Sequence, residues 1–296
     1  MINLQRLHTR AAFFRALRSF FNQHDFLEVD TPVRQPVLIP ETNIQSPASE
    51  DWLLQASPEL CMKRLLALGA GRIFQICPCF RKDERGRLHS EEFLMLEWYR
   101  READYHQLMR DCEELIRTVS RDLPETDCFT GIDLSGQWPQ LTVAEAFVRF
   151  SPVPLERALE DGSFDEVLVE HIEPQLGLQQ PSFLCDYPAE MASLARRSST
   201  DPRVAERFEL YIRGVEVANG FSELADAQEQ RQRFVQEIEQ IKAQWGRRAA
   251  MPEQFLTALP AMGEAAGIAL GVDRLLMLAL NKTALADVQT FSAEDL

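Results

Sequence analysis

Long apolar runs are missing from this chain, and no span is uncharged enough to cross a bilayer. Met1 to Phe21 carries Arg6, Arg10, Arg15 and Arg18 among its apolar positions, which excludes the uninterrupted apolar stretch of a secretory leader. A cytoplasmic location is the default expectation. Positive charge is also scarce: 31 Lys and Arg stand against 46 Asp and Glu, a formal net charge of −15. Such a field repels a nucleic-acid backbone unless a local basic patch overrides it. Internal repeats and low-complexity tracts are absent. Six cysteines (Cys61, Cys77, Cys79, Cys112, Cys128 and Cys185) are scattered. Cys77 and Cys79 form the only close pair, with no second Cys or His cluster nearby, so a zinc site is disfavoured and the six are expected as buried thiols.

What is present has the balance of an enzyme-sized globular domain: 296 residues, 45% hydrophobic and 26% charged, enough to bury a large core without staples. Leu7, Ala11, Phe14, Leu17 and Phe21 recur at helical spacing and predict an opening helix over 4–21. Phe26 to Pro32 reads as a strand ended by proline, 33–50 as a loop, Trp52 to Leu54 as a short strand, and Pro58 to Leu68 as a helix stopped by Gly69 and Gly71. Strand-like pieces at 73–76, 79–81 and 92–99 surround a polar loop over 82–91 and suggest a long hairpin, with a helix over 105–121 after it. The stretch from 122 to 180 is weakly patterned and is expected as an insertion between two halves of one sheet. Strands at 183–187, 208–212 and 215–219, a charged helix over 226–245 and an apolar helix opening at Gly271 complete the pattern. Strands joined by hairpins and long excursions predict an α+β fold whose antiparallel sheet is flanked by helices.

Three stretches carry chemistry. If Arg213-Gly214 is a two-residue turn, Glu209, Tyr211, Glu216 and Ala218 share one sheet face, while Leu210, Ile212, Val215 and Val217 share the other. The two carboxylates either hold a hard cation such as Mg²⁺ between them or simply face water. The hairpin from Phe80 to Tyr99 brings Arg81, Arg85, Arg87 and His89 toward one place, a set suited to a polyphosphate. Finally, Gly271-Val272-Asp273-Arg274 places a glycine and a guanidinium at a helix start, where backbone approaches a ligand closely and Arg meets phosphate or stacks on a base.

Taken along the chain, the strand over Phe26 to Pro32 and the last two of these stretches resemble the signature motifs of class II aminoacyl-tRNA synthetases. Phe26 to Pro32 looks like the first motif, Phe80-Arg81-x-Asp83 with its loop and Phe93 like the second, and Gly271 to Arg274 like the third. Glu216 to Leu224 and Phe93 to Tyr99 are similar to segments of the lysyl enzymes. An anticodon-reading OB domain has no room before the first motif, so residues 1–296 are expected to form a single catalytic domain. Ala218 stands where lysyl enzymes usually carry glycine, its methyl expected on the site face. Both features resemble the truncated paralogues that attach (R)-β-lysine to a lysine side chain of elongation factor P.

The resemblance implies activation of (R)-β-lysine or lysine by ATP as an acyl-adenylate. It further implies Mg²⁺, elongation factor P as acceptor, a homodimer, and neither tRNA nor membrane as partner. It assigns Arg81 to the α-phosphate, Phe93 and Arg274 to adenine, and Lys82, Asp83, His89, Glu216, Val217 and Gly271 to ATP. Glu209 with Glu216 is assigned to the metal, and Ser57, Pro58, Glu59, Tyr99, Ala218, Asn219 and Glu223 to the amino acid. Asp83 departs from the usual Glu, and Ser90-Glu91 from the usual Asn-Pro. A free-standing amino-acid ligase and a non-catalytic regulatory paralogue are the competing readings.

Overall fold

The computed structural model describes residues 4–125, 127–192, 194–292 and 295. Helix α1 (Leu4–Gln23) buries Phe13, Ala16, Leu17, Phe20 and Phe21 along one stripe. The expected strand after it shrinks to β1 (Leu27–Glu28). A small sheet of β2 (Arg34–Gln35), β3 (Ala48–Ser49) and β4 (Trp52–Leu54) follows, then α2 (Glu59–Ala67). Strand β5 (Arg72–Phe80) is continuous where the sequence suggested two pieces. Beyond Phe74 it pairs only with β6 (Glu92–Arg101), so the missing N–H of Pro78 breaks no ladder on its open side. Helix α3 (Tyr105–Asp122) starts at Asp104, whose side chain accepts from the Gln107 N–H.

The weakly patterned middle forms β7 (Gln140–Thr142), α4 (Val143–Phe150), α5 (Leu155–Asp161) and α6 (Phe164–Val167). A Thr142–Glu145 capping box starts α4. These elements pack around their own apolar cluster, including Val143, Phe147, Phe164 and Ile172, against Leu184 and Tyr211. The chain continues through β8 (Ser182–Pro188), β9 (Val204–Ile212), β10 (Val215–Ser222), α7 (Ala227–Trp245), α8 (Glu253–Met262), β11 (Ala265–Gly271) and α9 (Val272–Ala279).

Among the described residues eight strands form one sheet in the order β1-β5-β6-β11-β10-β9-β8-β7, antiparallel except for the outermost pairs β1/β5 and β7/β8. The architecture is the expected α+β one. One face packs on α1, α3 and α9 through Phe74, Leu96, Trp98, Phe208, Leu210 and Ile268. Under it, Asp111 of α3 receives Arg100 at 2.7 and 2.8 Å and the Trp98 indole at 3.2 Å. The opposite face of the central strands remains open as a cavity. No helix among the described residues is long and apolar enough to cross a membrane.

Candidate active site

Alternation along β6 sends Met95, Glu97 and Tyr99 to the open face and Leu96 and Trp98 to the helices; along β11 it sends Gly267, Ala269 and Gly271 the same way as Glu97. Together with the loops above them, these residues bound a cavity of about 650 Å³. Its wall includes Ser57, Glu59, Arg81, Asp83, His89, Phe93, Tyr99, Glu209, Glu216, Val217, Asn219, Gly271 and Arg274. Residues separated by most of the chain therefore meet at one concave surface.

The β9–β10 hairpin turns at Arg213 and Gly214, both with positive φ, and pairs Ile212 with Val215 and Tyr211 with Glu216. A bulge then makes Val217 an extra residue, so Ala218 faces Leu210 and Asn219 faces Glu209. The simple alternation expected from the sequence thus fails after Glu216. Ala218 joins the helix-side core, 1% exposed, and its methyl does not lie on the site face; Asn219 takes that place. The bulge also leaves the Glu216 carbonyl free to accept from Arg274 at 3.0 Å.

Arg274 is held on several sides. It donates to the Glu216 carboxylate at 3.3 Å, the Leu88 carbonyl at 3.3 Å and His89 Nε2 at 3.0 Å. Burial and the neighbouring guanidinium push the His89 pKa down, which keeps its ring a neutral acceptor. Asp273 turns back to pair with Arg10 at 2.6 Å, tying α9 to α1. Arg81 lies 5.3 Å over the Phe93 ring, so that phenyl group supports the guanidinium, and its buried Nε has no hydrogen-bond partner among the described residues. A Cβ on Gly271 would meet only the Arg274 side chain, at 3.5 Å or more, so the backbone there is accessible from the cavity.

Glu209 accepts from Arg207 at 2.7 Å, from the Tyr211 hydroxyl at 2.6 Å and from Asn219 at 3.4 Å. Burial and the charge of Glu209 raise the Glu216 pKa. The middle segment adds a carboxyl that no sequence pattern singles out. Glu173 lies 3.2 Å from the same Tyr211 hydroxyl and is raised to about 7 by burial and by Glu216 and Glu209. Among the described residues no group of three His, Cys, Asp or Glu side chains is arranged to hold a metal.

A second group is buried and acidic. Glu97 accepts from Ser57 at 2.5 Å and Tyr99 at 2.8 Å. Lys63, 2% exposed, inserts its ammonium between Glu59 and Glu223, 2.5 Å from the latter. Burial opposes the Lys63 charge, but Glu223 and Glu59 outweigh it and raise its pKa. Three carboxyls thus face one ammonium, an excess of two negative charges when all are ionised. Burial raises Glu97 and Glu223 to about 8, with Glu59 adding to both and Lys63 opposing the shift of Glu223. Glu223 sits just beneath the cavity floor. A Cβ on Gly267 would come within 2.2 Å of the Tyr99 ring and 2.3 Å of the Glu223 carboxylate, so this position takes no side chain.

Two other expected residues lie outside the cavity wall. Lys82 follows Arg81 on the alternating backbone and points outward, 57% exposed, 3.8 Å from Asp83. Pro58 is buried at the start of α2, where its carbonyl accepts the Cys61 and Met62 N–H groups; it shapes the turn that presents Ser57 and Glu59. Cys61 and Cys128 are half-buried rather than core thiols, while the other four cysteines are buried.

An eight-stranded, largely antiparallel sheet with its cavity walled by a hairpin arginine and a glycine-to-arginine helix start defines the catalytic fold of the class II synthetases. The chain belongs to this family: the model for class II tRNA synthetases (D, K and N) matches residues 3–295. It is 39% identical to the Elongation factor P--(R)-beta-lysine ligase of Pectobacterium carotovorum, over 99% of this chain and 96% of that protein. It is also 39% identical, with the same coverage of both, to the protein of that name from Salmonella gallinarum.

Proposed function

We propose that this protein activates (R)-β-lysine, or lysine, with ATP as the acyl-adenylate and transfers the acyl group to a lysine side chain of elongation factor P. The observation that carries the activation step is the junction, in one cavity, of the Arg81 guanidinium with a buried acidic group whose three carboxyls outnumber its one ammonium and reach an excess of two negative charges when ionised. A substrate with one carboxylate and two ammonium groups complements both parts. The likeness to the two ligases supports the choice of acceptor.

A carboxylate needs no general base to act as nucleophile, so catalysis rests on position and charge. A carboxylate oxygen attacks the α-phosphorus and pyrophosphate leaves. Arg81 holds both the carboxylate and the α-phosphate as charge accumulates there, a role supported by its unpartnered Nε and its ring support. Arg274, fixed by Glu216, His89 and Leu88, offers a flat cation to the base, and Gly271 admits the nucleotide against the backbone. Glu209 and Glu216 fit an Mg²⁺ ion that arrives with the phosphates, since both carboxylates occupy one face and Asn219 Oδ1 beside them lacks a partner among the described residues. Bound there, the ion would neutralise phosphate charge. In the second step a lysine amine attacks the adenylate carbonyl and AMP departs with its oxygen.

Homodimerisation and a cytoplasmic location belong to the same proposal, supported by the family and by a cytoplasmic acceptor. Pyrophosphate exchange tests the activation step. Exchange should depend on (R)-β-lysine or lysine, and Arg81→Ala should lower it by about 10²–10³. Near-normal exchange in that variant refutes the role of Arg81.

A further inference from the structure

One acidic side chain in the cavity wall is used by nothing above. Glu41 belongs to the segment between β2 and β3, and its carboxyl has neither a hydrogen bond nor an ion pair among the described residues. The backbone that follows it is nevertheless tightly held. Thr42 donates its N–H at 3.0 Å and its hydroxyl at 2.6 Å to Glu237 of α7, and the Trp245 indole donates to the Thr42 carbonyl at 2.9 Å. Arg247 donates to the Ile44 carbonyl at 3.0 Å, and the Lys82 N–H to the Gln45 carbonyl at 2.7 Å. A carboxyl fixed at its base and unpaired at its tip is preorganised for a ligand.

We infer that Glu41 receives the substrate amino group nearest the carboxylate, and so sets the preference for an amino acid that carries an amine there. The inference rests on the function proposed above. Glu41 faces Arg81 and Glu59 in the cavity, with Glu237 and Arg207 the other charged groups acting on it. Arg81 receives the substrate carboxylate, while Glu97, Tyr99 and Glu223 with Lys63 form the group that suits the far ammonium. An amine two or three bonds from the carboxylate falls between these sites, where Glu59 alone is already shared with Lys63. Burial and Glu59 raise the Glu41 pKa to about 7, a strain that a neighbouring ammonium relieves.

The test compares (R)-β-lysine with 6-aminohexanoic acid, which lacks the proximal amine, in pyrophosphate exchange and in competition. Glu41→Gln keeps the side-chain shape and the Thr42 anchors. The KM for (R)-β-lysine should rise roughly tenfold to a hundredfold, with the KM for ATP and the inhibition constant of 6-aminohexanoic acid within about twofold of the parent protein. An unchanged KM for (R)-β-lysine, or an equal weakening of both amino acids, overturns the inference while exchange by the parent protein leaves the proposed function standing. A parent protein that exchanges with neither (R)-β-lysine nor lysine overturns both.

Discussion

Raising the pH from 6 to 8 should strengthen binding of a diammonium substrate, and the buried group around Glu97 sets the size of the effect. With a pKa of about 8 in the empty cavity, Glu97 is ionised in only about one molecule in a hundred at pH 6 and in about half at pH 8. The groups that face it are Ser57, Tyr99, Glu59, Lys63 and, across the cavity floor, Glu223, which carries a similarly raised pKa. Binding an ammonium requires the carboxylate, so each proton released makes KM fall about tenfold per pH unit below 8. One to two decades per unit are expected for (R)-β-lysine, with a plateau above pH 8. In Glu97→Gln the slope should drop by about one decade per unit, with a higher KM at pH 8. The same shift acts on folding. Because the folded pKa of Glu97 lies above its ordinary 4.5, its contribution to stability is full below about pH 4.5 and is lost as pH rises to 8, about 5 kcal/mol in all. Substrate should restore it, so ligand-induced stabilisation grows with pH over that window. Initial rates across pH 6–9 and thermal melts with and without substrate measure both effects. A KM that is flat between pH 6 and 8, or a slope that Glu97→Gln leaves unchanged, rules out Glu97 ionisation as the control on substrate binding.

Gly267→Ala should drive Tyr99 and Glu223 apart, raising the KM for the amino acid at least tenfold with a smaller effect on that for ATP; equal changes in both would contradict this placement. Arg100→Met should strand the Asp111 carboxylate, 2% exposed, and cost about 3–5 kcal/mol of stability by denaturant melt, whereas replacing both partners with apolar residues should recover much of it.

Much of the frame is legible in the sequence because it rests on local patterns. The helix α1, the Phe80–Tyr99 hairpin and the Arg213-Gly214 turn all follow from periodicity and turn chemistry, although the buried face of α1 carries Phe13, Ala16 and Phe20 beside Leu17 and Phe21 in place of the expected Leu7, Ala11 and Phe14. The bulge at Val217 does not, since one extra residue leaves no mark on an alternating pattern, and it moves Ala218 off the site and Asn219 onto it. Strand β11 escapes notice although it is central: Ala-Ala-Gly-Ile-Ala-Leu-Gly alternates no polar residue with its apolar ones, because its open-face positions are kept small beneath the cavity. Helix α8 is masked by Pro260. Lys63 looks like an ordinary helix lysine until folding places Glu223 opposite Glu59. Glu41 and Glu173 sit in segments without periodic signal, and only the tertiary arrangement shows that they face the cavity group and the Glu209–Glu216 pair, respectively.

The most direct test is the mass of elongation factor P after incubation with this protein, ATP and (R)-β-lysine. The factor should gain one β-lysyl group on a single lysine, dependent on ATP and abolished by Arg81→Ala. An unmodified factor, with the activated amino acid found instead on tRNA or on a small amine, would contradict the proposed transfer.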